Sequence, residues 1–354
     1  MLPPPPASTL ILGREEITKL LDMRDCIDAV ERAFLRHAQR QTIPPGVLGA
    51  HVDGGGFHMK SAGLLEAADG RPVFAAKINA NFPDNPTRCG LPTIQGVIAL
   101  FDATDGRLLA LLDSIEITSL RTAAATAVAA KYLAPESNSV AICGCGGQAR
   151  NQIRALAAVH SISRVVAIDV QTERAERFAG DLKSELGVEV AVSRSPAEVG
   201  PDVNVWITCT PSRRWILGRS HVGPGAFIAA VGADSPEKQE IEPELLASNV
   251  VVADVLEQSA AMGDLHHAVD ARLMRPEDVR AELADVVAGS KPGRLSHEEI
   301  IIFDSTGTAL QDVAAATLAY ERALAVGAGV AIDLGGSVVQ GTTAGVRTRA
   351  PSAS

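Results

Sequence analysis

Every long apolar stretch of the sequence is broken by Gly, Pro or a charge before it reaches the roughly 18 residues that a membrane-spanning helix requires. No transmembrane helix is expected. The opening run Met1-Leu2-Pro3-Pro4-Pro5-Pro6 lacks the basic start and apolar centre of a secretory signal, and its prolines favour an extended, disordered lead. A cytoplasmic protein is the expectation. Paired cysteines are missing as well: Cys26, Cys89, Cys143, Cys145 and Cys209 are odd in number and show no zinc-type spacing, so neither a disulfide framework nor a metal site follows. Cys143 and Cys145 read as small residues at a strand end and in a tight turn. Positive charge is not in excess; a net charge of −10 opposes binding to nucleic acid or an anionic membrane. The expected partner is a small molecule. No internal repeat is present.

A chain of 354 residues with 46% apolar content exceeds what one hydrophobic core usually holds, so two domains are expected. Thr9 to Leu12 reads as a strand, and a helical stretch runs from Gly13 to about Gln41, with Leu20, Leu21, Ile27, Val30 and Phe34 at helical spacing. Pro44 to Asp113 has the short apolar runs and turn residues of a mainly β region, including Val73 to Ile78 and Ile94 to Phe101. An alanine-rich helix follows from Ile117 to Leu133. Strands at Ser139 to Cys143, Arg164 to Ile168, Val188 to Val192, Val203 to Thr208, Ala226 to Val231, Val250 to Ala253 and Ile300 to Asp304 alternate with helical stretches. That alternation predicts an α/β fold with a doubly wound parallel sheet. A helix from about Ala309 to Ala325 ends the ordered part, and the Gly/Ser/Thr/Ala-rich tail is expected to be disordered.

The strand Ser139 to Cys143 runs into Gly144-Cys145-Gly146-Gly147-Gln148-Ala149, a turn of the dinucleotide-binding kind. Such a turn is weak evidence alone. Here strand, turn, helix, second strand and a terminal Asp169 occur together. Gly144 permits the turn, Gly146 lets backbone approach a pyrophosphate, and Ala149 allows close helix packing. Asp169 can accept hydrogen bonds from the adenosine ribose and would repel a 2′-phosphate, which favours NAD. NADP is the alternative, with Arg174 placed to meet that phosphate.

Several further blocks stand in order along the chain: Ala76-Lys77-Ile78-Asn79-Ala80-Asn81-Phe82-Pro83, Gly90-Leu91-Pro92-Thr93, Ile117-Thr118-Ser119-Leu120-Arg121-Thr122, Ala230-Val231-Gly232-Ala233-Asp234-Ser235-Pro236-Glu237-Lys238-Gln239-Glu240 and Phe303-Asp304-Ser305-Thr306-Gly307. Together they resemble the ornithine cyclodeaminase/μ-crystallin family from about residue 10 to 325. The resemblance implies a Rossmann domain (126–308), a mixed α+β substrate and dimerisation domain (1–125 plus 309–354, with 1–8 and 335–354 disordered), and a homodimer. It implies that Lys77 is the active-site lysine, that Arg121 grips the α-carboxylate, and that Asp234 exchanges a proton with the substrate nitrogen or an attacking water. Thr93, Thr122, Thr210, Val231 and Ser305 fall at its cofactor cleft, with turn or cap roles as the alternative.

One segment departs from the family. Ornithine cyclodeaminases carry a second arginine before the sheet and a glutamate for the distal amine; here Pro44-Pro45-Gly46-Val47 and Phe57-His58-Met59-Lys60-Ser61-Ala62 occupy those places. A cation there suits an anionic side chain better than a terminal amine. Lys60 is thus a candidate substrate contact, with a lysine stem covering the sheet rim as the alternative. No metal spacing emerges from His58, His266 and His267. The leading expectation is an NAD(H)-dependent imine reductase or amino-acid dehydrogenase acting at the α-carbon of a 2-imino acid. The alternatives are a cyclodeaminase that uses bound NAD and releases ammonia, and a non-catalytic NAD- and ligand-binding protein.

Overall fold

A computed structural model describes residues 8–67, 70–136, 139–200 and 202–334; apart from Ser8, both ends expected to be disordered lie outside them. Eight strands form one wholly parallel sheet, in the order Ala281–Glu282, Val250–Ala253, Ile301–Asp304, Phe227–Ala230, Val205–Thr208, Ser139–Cys143, Arg164–Ile168, Glu189–Ser193. The chain starts at Ser139–Cys143, winds outward to Glu189–Ser193, then returns to Val205–Thr208 on the other flank of its first strand. This reversal makes a topological switch point, where the loops at the carboxyl ends of neighbouring strands part to leave a crevice. The four central strands have no exposed residue, as continuous apolar runs covered on both faces require.

The second sheet has seven strands, in the order Val330–Ile332, Thr9–Leu12, Leu108–Asp113, Ile94–Asp102, Val73–Asn81, Gly55–Leu64, Thr42–Val52. It is antiparallel except where Thr9–Leu12 runs parallel to Leu108–Asp113. Pro44 and Pro45 are accommodated because Thr42–Val52 is an edge strand. The helix Ala309–Val326 packs across the inner face of Gly55–Leu64 and Val73–Asn81. Beside it, the helix Ser114–Leu133 is buried almost throughout; its alanines allow close approach to Met23–Ala38 and Gly147–Val159.

Two expectations about elements change. The single helical stretch over 13–41 is two helices, Arg14–Leu20 and Met23–Ala38, because Asp22 takes extended backbone and its carboxylate accepts the Asp25 N–H at 3.0 Å, capping the second. After the last helix the chain forms one more strand, Val330–Ile332, which pairs antiparallel with Thr9–Leu12. Among the described residues no helix is long and apolar enough to cross a membrane.

Candidate active site

Lys60 and Lys77 face each other as cross-strand partners, and both side chains lie on the inner face of the mixed sheet, buried beneath the first turn of Ala309–Val326. Like charges directly opposite on a sheet repel, and burial strengthens the repulsion. The compensation comes from Asp312. Its carboxylate lies 2.9 and 2.8 Å from the Lys77 Nζ and accepts the Arg121 Nε–H at 2.8 Å. Arg121, delivered by the helix Ser114–Leu133, also donates from Nη1 to Gln311 Oε1 at 2.7 Å. Lys60 donates to the carbonyls of Thr306 (3.0 Å) and Gly307 (2.6 Å). Lys77 and Arg121 therefore share the carboxylate of Asp312, and Lys60 beside them is held by two backbone carbonyls.

Desolvation, then the like charges of Arg121 and Lys60, push Lys77 down to about 7 against the pull of Asp312. Lys60 is lowered for the same first cause, with Arg121 adding to it. Burial favours the neutral acid at Asp312, yet Arg121 and Lys77 outweigh it and hold the carboxyl below its ordinary range. A buried cluster with this surplus of positive charge is preorganised for an anion, and the planar fork of Arg121 suits a carboxylate.

Asp234 stands slightly apart. It follows the strand Phe227–Ala230, its side chain is 54% exposed, and it accepts from Lys238 Nζ at 2.6 Å. Desolvation works against its ionisation, but Lys238, then Lys60 and His58, hold its pKa below the usual value. His58 is half-buried, and desolvation lowers its proton affinity although Asp234 pulls the other way. His266 pairs with Asp270 at 3.3 Å and His267 bonds the Lys238 carbonyl at 2.8 Å, both structural contacts.

At the switch point, Gly144 has φ +94°, and a Cβ there would lie 2.8 Å from Thr210 Cγ2 and 3.0 Å from the Cys209 carbonyl oxygen. Only glycine fits. A Cβ on Gly146 or Gly147 would meet nothing within 4 Å, so the turn faces open space. The helix Gly147–Val159 that follows has no side-chain cap and no acid in its first turn. Its unpaired N–H groups and positive dipole end suit a diphosphate. Ala149 is fully buried against the sheet, and Gln148 Oε1 is buried without a hydrogen-bond partner. Asp169 accepts the N–H groups of Cys145 and Gln171, both at 2.9 Å; each oxygen keeps a lone pair for a ribose hydroxyl. The guanidinium of Arg174 lies 3.9 Å from it.

The remaining sequence candidates divide. Ser305 is buried, and its hydroxyl has no hydrogen-bond partner. The Thr210 N–H donates to Glu240 at 2.6 Å, and the Val231 N–H continues the sheet to the Thr208 carbonyl at 2.9 Å. The Thr122 hydroxyl is spent on the Thr118 carbonyl at 2.6 Å, a helix-internal bond, and half-buried Thr93 accepts the Phe82 N–H at 2.8 Å through its carbonyl. The cysteines around the turn are inert: Cys143 and Cys145 are buried, and desolvation pushes the Cys145 thiol up to about 12.

Sequence reasoning missed Asp312 and Gln311, whose only signal is a polar pair inside an otherwise apolar helical turn. It also missed the structural task of Glu240, which accepts from Thr208 Oγ1 (2.8 Å), Thr210 N–H (2.6 Å) and Gly232 N–H (2.7 Å). That buried carboxylate ties together the two loops that border the crevice.

Comparison with known proteins supplies independent observations. The sequence pattern of the Ornithine cyclodeaminase/mu-crystallin family matches residues 7–327. An archaeal alanine dehydrogenase dimer with bound NAD superposes with a TM-score of 0.87 at 38% identity, covering 92% of this chain and 99% of that one. The Delta(1)-pyrroline-2-carboxylate reductase of Thermococcus litoralis, in complex with NADH and L-proline, gives 0.86 at 31% identity over 92% of this chain and 100% of its own. The iminosuccinate reductase of Paracoccus denitrificans, in complex with NAD+, gives 0.84 at 32% identity over 92% and 99%.

Proposed function

The chain belongs to the ornithine cyclodeaminase/mu-crystallin family, and from that premise we propose that it is an NAD(H)-dependent oxidoreductase interconverting a 2-imino acid and its L-amino acid. The observation that carries this reading is the buried cluster in which Lys77 and Arg121 meet Asp312 and Lys60 stands opposite Lys77, a receptor for carboxylate set beside a dinucleotide crevice. When bound, NAD supplies or takes up the hydride at the α-carbon. The turn at Gly144 to Ala149 seats the diphosphate and Asp169 the ribose, which favours NAD over NADP. Arg121 and Lys77 hold the α-carboxylate. Asp234, kept ionised, pairs with the substrate nitrogen, favours the iminium over the neutral imine, and takes the proton in the oxidative direction.

Lys60 gives the site its preference. A buried ammonium beside Lys77 would meet the terminal amine of ornithine or lysine with like charge, whereas a second carboxylate would be attracted. Acidic 2-imino acids are therefore the first substrates to try. Purified protein should oxidise NADH with such an imino acid. Ammonium released from ornithine or lysine with no net change in NADH would overturn the reading in favour of a cyclodeaminase.

The substrate grip should depend on pH. Lys77 is lowered to about 7, so its charge is complete below that pH and fades above it. KM for the imino acid should rise with pH through this window, approaching about tenfold per pH unit on the alkaline side where binding requires the ammonium. A KM flat from about pH 6 to about 9 would remove Lys77 from carboxylate binding.

In this reading the mixed sheet with Ala309–Val326 is the substrate and dimerisation domain and the parallel sheet the NAD-binding domain, divided near 125/126 and 308/309 within one helix and just before another. The outer face of the mixed sheet supports a homodimer. Leu48, Met59, Ile78 and Val97 stand in register across four strands, and Leu48, Ile78 and Val97 are exposed, an apolar ladder of the kind that marks an interface. The related alanine dehydrogenase is a dimer. Ile78→Lys should convert a dimer to a monomer in analytical ultracentrifugation; an unchanged dimer would place the interface elsewhere. The free, mostly buried cysteines suit the reducing cytoplasm.

A further inference from the structure

One fully buried carboxylate has no part in the chemistry above. Asp254 lies just past the strand Val250–Ala253, at the carboxyl edge of the parallel sheet beside Asp304. Its oxygens accept the Val255 N–H at 2.8 Å, the Thr306 hydroxyl at 2.9 Å and the Gly307 N–H at 2.7 Å. One helical turn on, buried Gln258 donates from Nε2 to the Thr306 hydroxyl oxygen at 2.8 Å and to the Gly307 carbonyl at 3.1 Å. The two side chains clamp a single turn of chain. Both carbonyls of that turn are the acceptors of Lys60. Gly307, at φ +77°, presses so close to Arg121 that an added Cβ would lie 2.6 Å from Nη1.

We propose that Asp254 is a positioning residue which, with Gln258, fixes the Thr306–Gly307 turn and through it the Lys60 ammonium and the Arg121 guanidinium. The inference rests on the reading that Lys60 and Arg121 grip the substrate, and it adds the support that holds them. The side-chain bonds of Asp254 and Gln258 to the turn go to Thr306 and Gly307 and not to the diphosphate turn at Gly144 to Ala149 or to Ser305, so the larger effect is expected on substrate binding.

The test is Asp254→Asn, nearly identical in shape. Its amide must place either an oxygen or a donor against the Gly307 N–H and the Thr306 hydroxyl, and cannot accept from both sides as the carboxylate does. KM for the imino acid should rise about tenfold or more, while the NADH Kd stays within about twofold, because one buried bond to the turn is lost. Thr306→Ser, which keeps the hydroxyl, should retain the parent KM, and Thr306→Val should raise it as Asp254→Asn does; this pair answers the question even if the Asn variant fails to fold. Lys60→Met separates the premise from the inference. If it leaves KM unchanged for acidic imino acids, the grip reading fails. If it raises KM while Asp254→Asn and Thr306→Val do not, the positioning role of Asp254 is overturned, as it also is if NADH affinity falls in step with substrate affinity.

Discussion

Asp234→Asn is expected to lower kcat by about 10²–10⁴-fold, the range of a lost general acid–base group, while NADH affinity and melting temperature stay near those of the parent. The carboxylate is held ionised by Lys238, Lys60 and His58 against the desolvation that opposes it. Asn keeps the shape and loses both the charge that favours an iminium and the capacity to take its proton. The one pairing that the substitution removes, with Lys238, is half-exposed on the Asp234 side, and pairs of that kind contribute little to stability. The loss therefore reports on chemistry. Stopped-flow measurement of NADH oxidation at saturating substrate, beside a fluorescence titration of NADH, decides it; a kcat within about threefold of the parent would show that another group handles the nitrogen.

The second large effect is on folding. Asp312→Asn leaves Lys77 and Arg121 buried with no anion between them, and removing one member of such a buried set costs about 3–5 kcal/mol. The cost has a definite pH dependence. Lys77 has a folded pKa near 7, below its unfolded value of about 10.4, so the unfolded chain binds more protons between the two and stability rises with pH across that window. The penalty of the variant should therefore be largest below pH 7, where Lys77 is charged, and smaller in alkaline solution. Melting curves at about pH 6 and about pH 9 give the comparison. Equal melting of variant and parent at both would mean that Asp312 is not the counter-ion of Lys77 and Arg121.

What the sequence discloses follows from how locally each feature is specified. The parallel sheet is legible because its central strands are short apolar runs bounded by turns, and the order strand, glycine turn, helix, acid lies within some thirty consecutive residues. The cations Lys77 and Arg121 are legible through their blocks. Lys60 is ambiguous for a physical reason. In Gly55–Leu64 the exposed residue is Phe57, while Lys60, Ala62 and Leu64 point inward, so the alternation that usually separates inside from outside is inverted around the site. Asp312 is hidden because an acid in a first helical turn needs no explanation beyond the helix dipole; its task appears only when the helix lands on the two lysines. The break at Asp22 escapes notice because apolar spacing resumes in phase beyond it. Val330–Ile332, three residues that stay exposed even when paired, forms a strand only because Thr9–Leu12 is there to receive it.

That last pairing bears on the order in which the protein becomes active. Lys77 and Asp312 are 235 positions apart, and the helix carrying Asp312 is followed by the strand that closes against the first one of the chain. During synthesis the amino-terminal sheet emerges with its lysines facing inward and no counter-ion available. The Rossmann strands can pair as they appear, but the charge balance of the site waits for the helix Ala309–Val326. The cluster is thus assembled only once Ala309–Val326 has been made, and a partly made chain carries its two lysines without the carboxylate that holds Lys77 and Arg121 in place.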